Sequence, residues 1–213
     1  MRIAKTRAIF NAAVDVFSVR GFEKATMDEI AAKAKVAKGT IYYHFKSKED
    51  LFVFLVDEGT KLLGESVLSK LPDQASATEQ LRVIIREQLA FFQEYRDFCI
   101  IILREAWGED TRQREFRRML VHYVRSIQTI VENGIANGEF VSSDPETAAW
   151  SIFGGISIRA IHHIFTGSGE ELTGFSPAME QLIISGLSRS GQAGEIQLPQ
   201  SLVKDNRDRI GEV

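Results

Sequence analysis

Apolar residues recur at intervals of three and four almost from end to end of this 213-residue chain, and no stretch alternates with period two for long. That spacing gives each segment one apolar helical face and leaves nothing to pair into a sheet, so the fold class is all-α. About nine helices are expected, and the punctuation between them sets their limits. Phe10, Ala13, Val14 and Phe17 share a face that ends at Gly21, which gives a first helix over about 3–20. The string Thr26-Met27-Asp28-Glu29 has the form of a capping box, in which a hydroxyl takes a free N–H and a carboxylate three residues on reaches back. It opens a short helix over about 28–34, and after the break at 35–37 a second short helix runs over about 38–44. Ser47-Lys48-Glu49-Asp50 starts a long helix to about residue 70. Further helices are expected at about 77–95, 97–107, 111–137, 145–166 and 177–189, the last two with proline in the first turn. From Gly191 onward the sequence is polar and aperiodic and reads as a tail.

The pair of short helices carries the chemistry. A helix-turn-helix unit needs an amphipathic first helix, a tight apolar turn and a second helix whose exposed side can enter the DNA major groove. Ile30, Ala31 and Ala34 supply the inward face and Val36 the turn. Gly39 starts the second helix without a side chain, so that backbone N–H groups at the positive end of the helix can approach a phosphate. Thr40, Tyr42, Tyr43 and His44 then offer donors of different reach, bracketed by Lys38 and Lys48. Residues 26–48 therefore read as a unit that docks on double-stranded DNA. Ile41 and Phe45 sit on the face that packs inward, and Lys46 is a solvated charge. Tyr42 has two readings, a phosphate contact or packing with an exposed hydroxyl, and for Thr26 capping and phosphate contact are compatible.

Charge supports this placement once it is divided. The net value is −3, unpromising for a chain that binds a polyanion. Residues 1–50, however, carry ten Lys/Arg against six Asp/Glu, and the other 163 carry sixteen against twenty-three, so a head of net +4 sits on a body of net −7. A basic end on an acidic body suits polyanion binding at that end alone. The remaining composition bounds the class: 44% apolar and 26% charged residues argue against overall disorder. No apolar run approaches the roughly 18–20 residues of a membrane span, so no membrane partner is expected. The first residues lack the apolar core of a secretory signal. Cys99 is the single cysteine, which rules out an intramolecular disulfide and makes a cytoplasmic location the default.

The residues Ala25-Thr26-Met27-Asp28-Glu29-Ile30-Ala31, followed by Val36-Ala37-Lys38-Gly39-Thr40-Ile41-Tyr42-Tyr43-His44-Phe45-Lys46-Ser47-Lys48-Glu49-Asp50-Leu51, resemble the N-terminal domain of the tetracycline-repressor (TetR) family. Gly21-Phe22 at the end of the first helix fits too. The likeness covers residues 3 to about 55; beyond them only the helical layout and length agree. The resemblance implies a three-helix DNA-binding domain over 1–47, a helical effector-binding and dimerisation domain over 48–190, and a tail over 191–213. It implies that Thr26, Lys38, Gly39, Thr40, Tyr42, His44 and Lys48 mainly hold phosphates, which fixes register. Tyr43, with Lys38 and Thr40, then reads base edges or thymine methyls. One departure stands out: the family often has serine where this chain has Ala37, so one hydroxyl contact or cap is missing.

For the body, the resemblance implies an effector pocket drawn from the helices between about 77 and 137 and a two-fold dimer face on those at 145–166 and 177–189. Phe91, Phe92, Tyr95, Cys99, Trp107, Tyr123 and Phe153 are the pocket candidates, against the plainer reading that most are core and that Cys99 is an inert buried thiol. Gly154, Gly155, Ile158, Leu182 and Leu187 are the dimer-face candidates, the adjacent glycines inviting a packing reason because each costs about 1 kcal/mol in a helix. Adjacent His162 and His163 point about 100° apart and form no shared chelate, and no zinc spacing, phosphate loop or nucleophile elbow occurs, so neither a metal, a cofactor nor catalysis is expected. The expected function is a homodimeric transcriptional repressor that binds a near-palindromic operator and is released by a small apolar or aromatic effector. The alternative on the same fold is an architectural or cell-cycle DNA-binding protein whose body binds a protein partner and no small molecule.

Overall fold

The computed structural model describes residues 2–72, 74–105, 111–141, 144–167 and 171–188. Among these it contains nine α-helices and no strand. They are α1 (Arg2–Arg20), α2 (Met27–Lys33), α3 (Lys38–His44), α4 (Lys48–Leu68), α5 (Ala77–Glu94), α6 (Arg96–Glu105), α7 (Thr111–Ala136), α8 (Pro145–Thr166) and α9 (Ser176–Leu187). A 3-10 turn, Leu172–Phe175, leads into α9, a detail that proline spacing alone does not reveal. The expected tail over 191–213 and Trp107 lie outside the described residues.

Capping explains where most helices begin. Thr26 accepts from the Glu29 N–H while the Glu29 carboxylate accepts from the Thr26 N–H, and Ser76 and Glu79 repeat the same box at α5. Ser47 caps α4 and Asp144 caps α8, where Pro145 occupies the first turn. Ala37 precedes α3 in an extended conformation with no side-chain cap, as the missing hydroxyl implied. The end of α7 depends on Gly138, at φ +77°, and on Gly134, where a methyl would lie 2.1 Å from the Phe140 ring. Gly134 O accepts from both Glu139 N and Phe140 N, and the chain turns back.

Helices α1–α3 form a head whose core continues into α4. Phe17, Phe22 and Phe52 meet in an aromatic cluster with ring centroids 5.3–6.2 Å apart, tying α1, the loop after it and α4 together. The C-terminal half of α4 leaves the head and packs against α5 and α7. Helix α5 is the axis of the body: Leu81, Ile84, Ile85 and Leu89 are fully buried, each stabilising the fold by roughly 2 kcal/mol. It touches α4, α7, α8 and α9, while α6 turns away to lie on α1. Tyr95 makes the break between α5 and α6, its ring stacked on Phe91 at 4.7 Å. Among the described residues, no helix is long and apolar enough to cross a membrane.

Candidate nucleic-acid interface and effector pocket

The head presents α3 outward. Ile41 is fully buried and Phe45 is half-buried against Phe54 at 5.0 Å, as their inward spacing requires. On the opposite side Tyr43 is 85% exposed, with its ring set edge-on to His44 at 5.3 Å. Gly39 has open space where a methyl would project, so nothing within the chain demands glycine there. With Ala37 unable to cap, the Lys38 and Gly39 N–H groups have no acceptor among the described residues. Thr40 is half-buried and its N–H bonds Ala37 O at 2.8 Å.

Asp28 organises the polar surface between the two short helices. Its carboxylate accepts from Lys38 Nζ at 2.6 Å and from the Tyr42 hydroxyl at 3.4 Å. The hydrogen bond and the charge of Asp28 together raise the Lys38 pKa above its ordinary value, so this cation is held charged. Lys38 also lies 5.8 Å from the centroid of the half-exposed Tyr42 ring. Two side chains expected on phosphate are thus held in place by an acid. Thr26 gives its hydroxyl proton to Glu29 Oε2 at 3.0 Å, so in this state it acts as a cap.

Lys48, expected on phosphate, has partners within the chain. Its ammonium turns onto the chain, donating to Glu23 O at 2.9 Å and Ala25 O at 3.2 Å, and lies 4.6 Å over the Phe22 ring. It clamps the loop between α1 and α2 to the start of α4. The spacing after α3 marked it as a charge near DNA, but the loop carbonyls 23 and 25 residues earlier carry no sequence signal.

The body contains an apolar cavity of about 400 Å³ that opens at the surface between α7 and α8. Phe91, Phe92, Cys99 and Phe153 of the candidate residues line it, together with Gly59, Leu63, Phe98, Ile102, Leu120 and Trp150. Burial pushes the Cys99 thiol far above its ordinary pKa, in keeping with an inert wall residue. Tyr95 and Tyr123 do not join this cavity. Tyr95 borders an outer groove with Thr6 and Arg7 of α1, and Tyr123 is buried behind the cavity wall, its ring 5.9 Å from that of Phe153 and its hydroxyl on Gln88 Oε1 at 3.1 Å. The cavity is also wider than the 77–137 stretch, because α4 and α8 supply two of its walls. The signal was present: Trp150, Gly154, Ser157, Ile158 and Ile161 form one stripe at helical spacing, and Gly59 is a small residue inside an apolar helix.

That stripe bears on the expected dimer face. Gly154 and Ile158 line the cavity mouth, and Ile158 is at the same time 65% exposed on the outside of α8. Leu187 is buried in the chain's own core and is not available to a second copy in this arrangement. Leu182 is 73% exposed, and Gly155 is exposed with Met179 Cε at 4.0 Å from where a methyl would sit. Arg117 of α7 is exposed at the mouth, with Arg114 and Arg118 on neighbouring positions of the same helix.

Comparison with known proteins agrees with both halves. Residues 9–54 match the family described as bacterial regulatory proteins, tetR family, and residues 74–160 match a tetracyclin repressor-like C-terminal domain. A Clostridium perfringens protein provisionally described as a fatty acid metabolism regulator is 30% identical, with a TM-score of 0.78 over 86% of this chain and 100% of that one. The transcriptional regulator FadR from Bacillus subtilis, solved in complex with stearoyl-CoA, is 26% identical, with a TM-score of 0.78 over 85% of this chain and 98% of that one. AibR, solved with isovaleryl coenzyme A and operator DNA, is 25% identical, with a TM-score of 0.68 over 84% and 97% of the two chains. A capped helix pair with an outward α3, carried on a helical body with its own cavity, is therefore the arrangement of a known group: this chain belongs to the tetR family of bacterial regulatory proteins, DNA-binding helix-turn-helix regulators of transcription.

Proposed function

We propose that this protein is a cytoplasmic, homodimeric repressor that binds a near-palindromic operator and releases it on binding an acyl-coenzyme A. The observation that carries the effector class is the cavity. Its volume of about 400 Å³ lies in the range of small-molecule sites, about 300–1,000 Å³. Its walls are almost wholly apolar, as an acyl chain requires, and Arg117 at the mouth suits a phosphate of the coenzyme. Two proteins of the same fold, FadR and AibR, were solved with acyl-CoA compounds. An open cavity favours this reading over a body that serves a protein partner alone.

Tyr43 is the base reader in this proposal, and Lys38, Gly39, Thr40, Tyr42 and His44 hold phosphates. Thr26 and Lys48 position the unit from behind. The dimer would use the outer faces of α8 and α9, where Gly155 and Leu182 remain exposed. Phe98 offers a route from effector to head: it walls the cavity, touches Gly59 of α4, and packs on Phe10 of α1 with ring centroids 5.7 Å apart. An effector that displaces Phe98 biases the pose of α1 and α4, provided it binds one pose more tightly than the other. A gel shift with the DNA upstream of the protein's own gene, at fixed salt, tests both parts. The expected result is a saturable, sequence-dependent shift reversed by stearoyl-CoA. No shift removes the operator role, and a shift indifferent to acyl-CoA removes the effector.

A further inference from the structure

The buried polar chain that crosses the body leaves one hydrogen-bond donor unused, and that donor faces the cavity. Gln88 of α5 is fully buried. Its Nε2 lies 3.3 Å from Ser157 Oγ and 3.5 Å from the Phe153 carbonyl oxygen, and its Oε1 accepts from the Tyr123 hydroxyl at 3.1 Å. The orientation of the amide follows from chemistry: a carbonyl only accepts, so the nitrogen must face Phe153 and the oxygen must face Tyr123. Burial raises the Tyr123 pKa well above its ordinary value, so the phenol keeps the proton it donates. Both hydrogens of the amide nitrogen then point toward α8, and Ser157 Oγ receives one of them as an acceptor. The Ser157 hydroxyl proton is left over.

Elsewhere in the helices such a proton goes to the carbonyl four residues earlier, as Thr60 gives to Val56 O at 2.8 Å and Thr129 to Arg125 O at 3.1 Å. Ser157 makes no such bond among the described residues. It is only 7% exposed, and it lines the cavity. A buried donor without an acceptor is costly and calls for a partner. The rest of the wall supplies none: Thr60 Oγ1, which could accept, makes no hydrogen bond with Ser157 among the described residues, and the other inner residues are apolar.

We infer that Ser157 donates to the thioester carbonyl oxygen of the acyl-CoA, with Gln88 and Tyr123 as positioning residues behind it. This rests on the acyl-CoA reading above and adds its chemical determinant. Among the described residues, the cavity contains one neutral donor set among apolar walls, with the Arg117 cation at the mouth. An acyl thioester has the matching order: an apolar tail, one acceptor oxygen, then a charged end. A free fatty acid would bring its carboxylate charge into that apolar interior.

The test compares stearoyl-CoA with S-octadecyl-CoA, in which a methylene replaces the carbonyl, by titrating each against the full-length protein in a calorimeter. The unsubstituted protein is expected to bind the thioester about tenfold more tightly than the thioether, the size of one good buried hydrogen bond. Ser157→Ala should bring the thioester down to the thioether's affinity and leave the thioether where it was. Tyr123→Phe removes the bond that fixes the Gln88 amide, so the amide can turn its oxygen to the Ser157 hydroxyl and the ratio should shrink while the thioether's affinity holds. An unchanged ratio in Tyr123→Phe overturns the positioning role. Equal affinities in the unsubstituted protein overturn the inference, as does a ratio that persists in Ser157→Ala. If neither compound binds, the acyl-CoA reading itself falls, and this inference falls with it.

Discussion

On the proposed reading, Asp28 prepares the DNA-facing surface before DNA arrives. Holding Lys38 and Tyr42 in place reduces the side-chain entropy that a phosphate would otherwise have to freeze, at the cost of one ion pair to exchange. Tyr43 is under no such restraint and projects furthest. Tyr43→Ala should therefore change which base pairs are preferred, by about 1–3 kcal/mol at the position it reads, in a competition assay over randomised operators. Lys48→Ala should behave differently. Removing an ammonium from two loop carbonyls should lower stability by about 1–2 kcal/mol, read by thermal unfolding, while the salt slope of DNA binding stays within a fraction of one ion. A slope reduced by about 0.9 would instead mark Lys48 as a phosphate contact. The contrast between these two residues shows what a sequence can reveal. Tyr43 stands out because the fate of an exposed helical residue is local, set by its neighbours at three and four. The partners of Lys48 come from a loop more than twenty residues away, which only the fold brings near.

At the scale of elements, the helices were legible because their ends are written in caps, and caps act over three or four residues. Leu187 and the cavity walls were not, since an apolar face does not say which neighbour it meets. Glu139 is a cap of this hidden kind. From the turn after α7 its carboxylate accepts the Ala77 N–H at 2.9 Å and the Thr78 N–H at 3.0 Å, closing the start of α5 across sixty residues. Partial burial works against its ionisation, but the bonds from Thr78 and Ala77 outweigh that and hold the carboxyl below its usual range. A depressed folded pKa contributes stability that is present above the unfolded value of about 4.3 and lost as pH falls through the folded value. Glu139→Gln should cost about 1 kcal/mol at neutral pH and flatten the acid limb of stability measured by urea unfolding from pH 6 to 3. Gly59 is the second hidden contact. A methyl there would lie 1.9 Å from Phe98 Cζ, so Gly59→Ala must push the Phe98 ring aside. The expected outcome is a cavity of altered shape and at least tenfold weaker acyl-CoA binding, read by calorimetry, with a stability loss of about 1–3 kcal/mol from overpacking.

For the whole molecule, the head and body share α4, and α6 rests on α1, so a change in the cavity reaches the head through two contacts rather than one. The aromatic cluster of Phe17, Phe22 and Phe52 and the Lys48 clamp tie α1 and the loop after it to the start of α4, which stiffens the joint between head and body. On the proposed reading this has a mechanical consequence. A stiff head cannot absorb a tilt of α4 by bending internally; it swings like the end of a lever, and the face it shows to DNA arrives undistorted at a different place. Release would then be a matter of the distance between two intact readers, with neither reader spoiled. A duplex carrying one half-site should accordingly be held with the same affinity whether or not stearoyl-CoA is present, while the full palindrome loses it, and fluorescence anisotropy on the two duplexes would tell a moved head from a damaged one.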